Sequence, residues 1–121
     1  MTAAPDRIQA SISEWKQITA PFQTPSVPRA TWQIVNTLVP YFALWYAMWR
    51  SLEVSYWLTL GIAAVAGLLL VRVFIIFHDC CHGSYFKSKK ANDILGFITG
   101  MLTFTPYGHW RWQHNVHHAT S

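Results

Sequence analysis

Between Thr31 and Phe77 the only formally charged residues are Arg50, Glu53 and Arg72. A stretch this long and this poor in charge cannot supply the wetted face of an ordinary soluble helix, and it reads as membrane spans. The whole chain follows the same bias, with 12% charged residues against about 25% in soluble domains. A first span is expected from Thr31 to Trp49, whose nineteen residues at ~1.5 Å rise give roughly 28 Å, close to a ~30 Å hydrocarbon core. Trp32 marks one edge of it and Trp45, Tyr46 and Trp49 the other, as interfacial aromatic belts do. Pro40 is expected to kink it. After a tight connection from Arg50 to Ser55, a second span is expected from Tyr56 to Phe77. At 121 residues the chain is at most one small domain.

The flanks set the rest of the layout. Met1 to Gln23 contains no continuous apolar h-region, so insertion is expected to rest on the spans themselves. Ile8, Ile12 and Trp15 fall at helical spacing behind Asp6, a candidate cap. That pattern suits a short amphipathic helix on a membrane surface, with a partly ordered tail as the alternative. Pro21, Pro25 and Pro28 predict an extended linker, dividing the chain into an N-terminal segment, 1–29, and a membrane domain, 30–121. Arg72, within about two turns of the boundary, is expected to snorkel to the headgroups rather than act as an intramembrane charge. Lys16 and Arg29 precede the first span and Lys87, Lys89 and Lys90 follow the second, which puts both flanks in the cytosol. The net charge of +4 is local and modest, which argues against nucleic acid and for a headgroup-facing patch.

Five of the six histidines lie in two clusters, His78-Asp79-Cys80-Cys81-His82 and His114-Asn115-Val116-His117-His118. On a helix His78 and His82 share a face, as His114 does with His117 and with His118. His117 and His118 lie about 100° apart, so their rings can reach different metals. Imidazole suits zinc, copper, iron and nickel. Whether the clusters can share metals depends on Ile94 to Tyr107, an apolar stretch broken by Gly96, Gly100 and Pro106. As a helix it covers roughly 20 Å, too short for a ~30 Å core. It is therefore expected to be re-entrant or interfacial, leaving both clusters on one cytosolic face. The expected fold class is all-α: a multi-pass membrane protein with two transmembrane helices, this non-spanning segment and histidine-bearing helices.

The zincin pattern places Glu after its first histidine as general base; Asp79 here is a shorter acid, less able to reach a metal-bound water. Two roles are open to it, orienting a ligand histidine or capping a helix. Cys80 and Cys81, adjacent in sequence, are expected to be reduced, small fillers rather than ligands. His109 stands outside both spacings and is expected on the surface or beside a ligand. Two clusters rich in imidazole and poor in carboxylate point to a histidine-ligated pair of non-haem irons. Such a centre activates O2 to attack unactivated C–H bonds, of which lipid chains are the local supply.

With these residues in place, the chain resembles the membrane fatty acid desaturase family. His78-Asp79-Cys80-Cys81-His82-Gly83-Ser84 is similar to its first box, H-[DE]-C-x-H-x-S. Pro106-Tyr107, Trp110-Arg111 and His114 to His118 are similar to its second, P-Y…W-[RK]-x-x-H-x-x-H-H. Cys81 departs from the glycine or other small residue common at its position. The resemblance covers residues about 30 to 121 and implies a four-helix membrane enzyme with two iron ions. It implies O2 as co-substrate, electrons from a ferredoxin- or cytochrome-type donor, and iron ligation by the residues matching His78, His82, His114, His117 and His118. The implied reaction removes two hydrogens from adjacent carbons of a fatty acyl lipid. The family's third H-x-x-H-H box has no counterpart here, so the chain is expected to be a fragment inactive alone. Competing expectations are a related hydroxylase or ketolase acting on carotenoids or alkanes, and a non-catalytic membrane metal- or haem-binding protein.

Overall fold

The computed structural model describes residues 3–121, with side chains from Gln9 onward. The described residues form five α-helices and no strand: α1 (Ala3–Gln23), α2 (Val27–Ser51), α3 (Tyr56–Cys81), α4 (Lys89–Leu102) and α5 (Tyr107–Thr120). The side chains of Asp6 and Ile8 lie outside the described residues. Ile12, Trp15, Ile18 and Phe22 of α1 stand exposed at three- and four-residue spacing. The three-proline linker is shorter than its sequence suggests. α1 runs through Pro21 to Gln23 and stops at Thr24, whose helical conformation is disfavoured by Pro25 behind it. Pro28 sits in the first turn of α2, where its missing N–H costs nothing.

α2 and α3 form an antiparallel hairpin, as pairs of touching residues along it show. Ser51 Oγ lies 2.7 Å from Thr59 Oγ1 beside the connection. Arg72 Nη2 donates to Asn36 Oδ1 at 2.9 Å midway. Ala30 joins Ile76, Cys80 and Tyr85 in one buried cluster at the far end. Arg72 therefore reaches across to the neighbouring helix instead of extending alone along its own. Among the described residues one helix, α3, is long and apolar enough to cross a membrane. α2 has the length, with 25 residues, but Gln33, Asn36, Arg29 and Arg50 dilute its apolar content.

Two helix ends turn the chain back toward itself by the same hydrogen-bond motif. At the end of α3, Gly83 N–H donates to Cys80 O at 2.9 Å and Ser84 N–H to Asp79 O at 3.1 Å. These are the two bonds of a Schellman stop, with Gly83 at φ +70° in the left-handed position. At the end of α4, Phe104 N–H donates to Met101 O at 3.2 Å and Thr105 N–H to Gly100 O at 2.8 Å. Here the left-handed residue is Phe104, at φ 54° and 93% exposed. A side chain in that conformation costs about 1–2 kcal/mol.

Between these stops, Asn92 pins the α3–α4 loop. Its Oδ1 accepts from Phe86 N and its Nδ2 donates to Phe86 O, both at 2.8 Å, and the side chain is buried. Tyr85 adds a bond from its hydroxyl to Ala30 O at 2.9 Å. Burial pushes that phenol up to about 12. α4 then lies along α3, and α5 folds over its far end.

The two stops give opposite expectations for the same kind of exchange. Gly83→Ala, with open space around the added methyl, should lower stability by about 1 kcal/mol, and Phe104→Gly should raise it by about 1 kcal/mol. Thermal unfolding in detergent, followed by circular dichroism, reads both; equal signs for the two variants would contradict the assignment.

Candidate metal centre

The stop at Gly83 places His82 at the C-cap of α3, one turn beyond His78. The bend after α4 brings α5 across this end, so residues from the two sequence clusters meet. The Nε2 atoms form a chain: His78 to His82 at 3.2 Å, His82 to His114 at 2.9 Å and His114 to His118 at 3.0 Å. Ligand atoms of His78, His82 and His114 all lie within 4.8 Å of one another. Two imidazoles bound cis to one metal at about 2.1 Å stand about 3.0 Å apart, nitrogen to nitrogen. The observed separations match that spacing, which is also the length of a ring-to-ring N–H···N hydrogen bond.

His117 stands aside from this group. Its ring is exposed and 5.9 Å from that of His118, in keeping with their different angular positions on α5. His109 is exposed on the first turn of α5. Asp79 Oδ1 lies 3.5 Å from His78 Nδ1, at the outer limit of a hydrogen bond. Cys80 and Cys81 are buried free thiols, and Cys80 packs among Ala30, Ile76 and Tyr85.

Residues that the histidine spacing does not reveal hold the cluster in place. Trp110 stacks on His114 with centroids 4.3 Å apart and planes at 16°. The same indole meets Phe77 edge-on at 5.1 Å and His78 at 5.7 Å. Its position four residues before His114 is the signal that could have singled it out. Asp93, on α4, is the hub of the second support. Its Oδ1 accepts from Tyr107 Oη and from Arg111 Nη1, each at 2.8 Å. Tyr107 reaches it by crossing α4 at Gly96, where any Cβ would collide with the phenol ring. Burial, and then the bond to Asp93, pushes the Tyr107 phenol above its ordinary range. One lone acid on an apolar helix gives no sequence signal of this role, which exists only once α4 and α5 are juxtaposed.

The cluster's electrostatics favour neutral rings. His82 is held below its ordinary value of 6.5 by desolvation first, then by repulsion from His78 and His118, with Asp79 opposing. His114 is lowered by desolvation and by its histidine neighbours. Neutral imidazole is the form that ligates, so these shifts keep the donors available to a metal at neutral pH.

The arrangement defines a helical protein with a histidine cluster that could hold a metal ion at the end of an apolar helix. The comparisons give that class a family. The model of the fatty acid desaturase family matches residues 55–121. The fatty acid desaturase of Bacillus subtilis (strain 168) is 51% identical over 106 residues, covering 88% of this chain and 30% of that protein. The sn-1 oleoyl-lipid 12-desaturase of Anabaena variabilis is 41% identical over 69 residues, covering 56% of this chain and 20% of its own length. The sn-1 acyl-lipid omega-3 desaturase (ferredoxin) of Synechocystis sp. is 39% identical over 57 residues, 47% of this chain and 16% of its own. No solved structure matches the chain. The chain belongs to the fatty acid desaturase family, and spans about 30% of the length of the Bacillus relative.

The depressed values fix the pH dependence of metal uptake. Well above pH 6.5 the rings of His82 and His114 are neutral in folded and unfolded chains alike, and their titration should leave affinity flat. Below it the unfolded chain binds more protons than the folded one, so both stability and metal affinity should fall as pH drops through the folded values. Cobalt(II) titration followed by its visible absorption, from pH 5 to 8, should show this; affinity that rises on acidification would contradict it. Asp93→Ala, which frees Tyr107 and Arg111, should weaken cobalt about tenfold while leaving the pH midpoint in place. An unchanged affinity would remove Asp93 from the support of the site.

Proposed function

We propose that this chain supplies the first two histidine clusters of a non-haem di-iron centre in an O2-dependent fatty acyl desaturase. The observation that carries the reading is the Nε2 chain, whose 2.9–3.2 Å steps link both clusters at ligand spacing. The Bacillus relative's identity over most of the chain supports the reaction class. When bound, iron supplies the redox chemistry that couples four-electron reduction of O2 to cleavage of two C–H bonds. The balance is one –CH2–CH2– unit, O2, two electrons and two protons giving –CH=CH– and two waters.

On this reading His78, His82, His114 and His118 would present ring nitrogens to the metals, and His117, turned aside, would serve the second ion. Asp79 orients the imidazole of His78 through Nδ1, and Trp110 fixes the plane of His114. Five imidazoles cannot fill two ions of near-octahedral demand, so the reading requires further donors and expects no turnover from these five ligands alone. α3 crosses the bilayer with α2 beside it as a second crossing, and α4 stays at one surface. Both clusters then lie on the cytosolic face with Lys87, Lys89 and Lys90. The substrate is a fatty acyl lipid of that bilayer. Electrons come from a ferredoxin- or cytochrome-type donor; the name of the Synechocystis relative specifies ferredoxin.

A chimera tests the reading. The matching segment of the Bacillus protein is replaced by this chain and expressed in a host lacking desaturases, and its lipids are analysed by mass spectrometry. New acyl double bonds are expected, with His82→Ala and His114→Ala each lowering their yield at least about a hundredfold. A folded chimera that yields hydroxyl or keto products, or keeps its yield without these histidines, would overturn the reading.

A further inference from the structure

Apart from Asp93, which supports the histidine cluster through Tyr107 and Arg111, the outer face of α4 takes no part in the candidate metal site. Lys90, Ile94, Phe97, Ile98 and Met101 follow one another at helical spacing on it. Ile94, Phe97 and Ile98 are 53%, 58% and 42% exposed, and with Lys89, Lys90 and Asp93 they line an open groove of about 550 Å³. A second groove of about 300 Å³ continues it past Phe97 and Met101 toward Phe104. The long apolar track therefore begins at a basic end.

That end is not neutralised from within. Among the described residues neither lysine has a salt bridge; the carboxylate in the groove, Asp93, is taken by Arg111 at 2.8 Å. The first turn of α4 carries no acid, so its N-terminal dipole adds to the lysines. Beyond Asp93 the lining offers no polar side chain. A peptide laid there would leave its backbone groups without partners, whereas an acyl chain has none to satisfy. The complement of a doubly basic head and an apolar track is an anionic amphiphile.

We propose that α4 binds an anionic phospholipid, with its phosphate at Lys89 and Lys90 and an acyl chain along Ile94, Phe97 and Ile98. The site is separate from the histidine cluster and does not depend on the function assigned to it. Lys87, which lines a different groove with Pro25 and Phe86, lies outside it.

The full chain in neutral detergent is titrated with dioleoylphosphatidylglycerol or dioleoylphosphatidylcholine, with retained lipid counted by native mass spectrometry. The glycerol lipid should be retained preferentially. Lys89→Gln with Lys90→Gln should weaken it about thirtyfold, and Phe97→Ser should weaken both lipids while circular dichroism stays unchanged. Lys87→Gln should leave the preference intact. Equal retention of the two lipids would overturn the proposal, as would a preference that survives loss of both lysines or disappears equally with Lys87. Displacement of the lipid by millimolar inorganic phosphate would reduce the site to a simple anion contact and would also overturn it.

Discussion

Four imidazole nitrogens held about 3 Å apart in a row set the terms for the rest of this structure. Each Nε2 carries either a proton or a lone pair, and the inner atoms of the row face two neighbours at once. No assignment of protons lets every neighbouring pair make a good donor–acceptor bond. Adding protons makes matters worse, because donors then face donors and positive rings face one another. A cation would relieve the conflict by accepting the lone pairs of His78, His82 and His114, whose ligand atoms all lie within 4.8 Å of one another. The row is therefore a concentration of unfavourable contacts that the surrounding helices must hold, and that a metal turns into favourable ones.

Holding it requires two helix ends to be fixed independently. His82 is positioned by backbone alone, since the Schellman stop at Gly83 fixes where α3 ends. His114 is positioned by side chains. Trp110 lies flat against it from within α5, and Asp93 ties α5 to α4 through Tyr107 and Arg111. The Asp93–Arg111 pair is partly exposed, so its charge attraction is screened and modest. Its contribution is geometric: one oxygen accepts from two residues a turn apart on α5, which fixes that helix in rotation as well as position.

The histidine clusters were legible because helical periodicity alone puts His78 with His82 and His114 with His118. Periodicity also anticipated that His117 would diverge from His118. The short apolar stretch Ile94 to Tyr107 was legible only in part: α4 starts five residues before it, at Lys89, and ends inside it, at Leu102. Asp93, Asn92 and Tyr107 were not legible as supports, because each acts on a partner that only the folded chain brings near. The proline linker was overestimated for a local reason: Pro21 falls where α1 can continue through it, and the stop is imposed by Pro25 on Thr24. Arg72 was expected to snorkel to the headgroups; its bond to Asn36, 36 residues away on α2, could not be read from the sequence.

The two Schellman stops show what this layout demands of the sequence. After α3 a glycine takes the left-handed position, and the turn forms without strain beside His82. After α4 a phenylalanine takes it, at a cost its exposed ring does not recover through packing within these residues. Both turns fold the chain back on itself, and together they let α5 cross the end of α3. The bonds Phe104 N–H to Met101 O and Thr105 N–H to Gly100 O fix the exit from α4. Pro106, which caps α5 in extended conformation, then sets the entry angle of the helix that carries Trp110 and His114. A looser turn would cost little in backbone energy. It would, however, let α5 rotate, and a rotation of one residue's 100° would take His114 away from His82. The strain at Phe104 thus falls in the segment that sets how α5 carries His114 to His82.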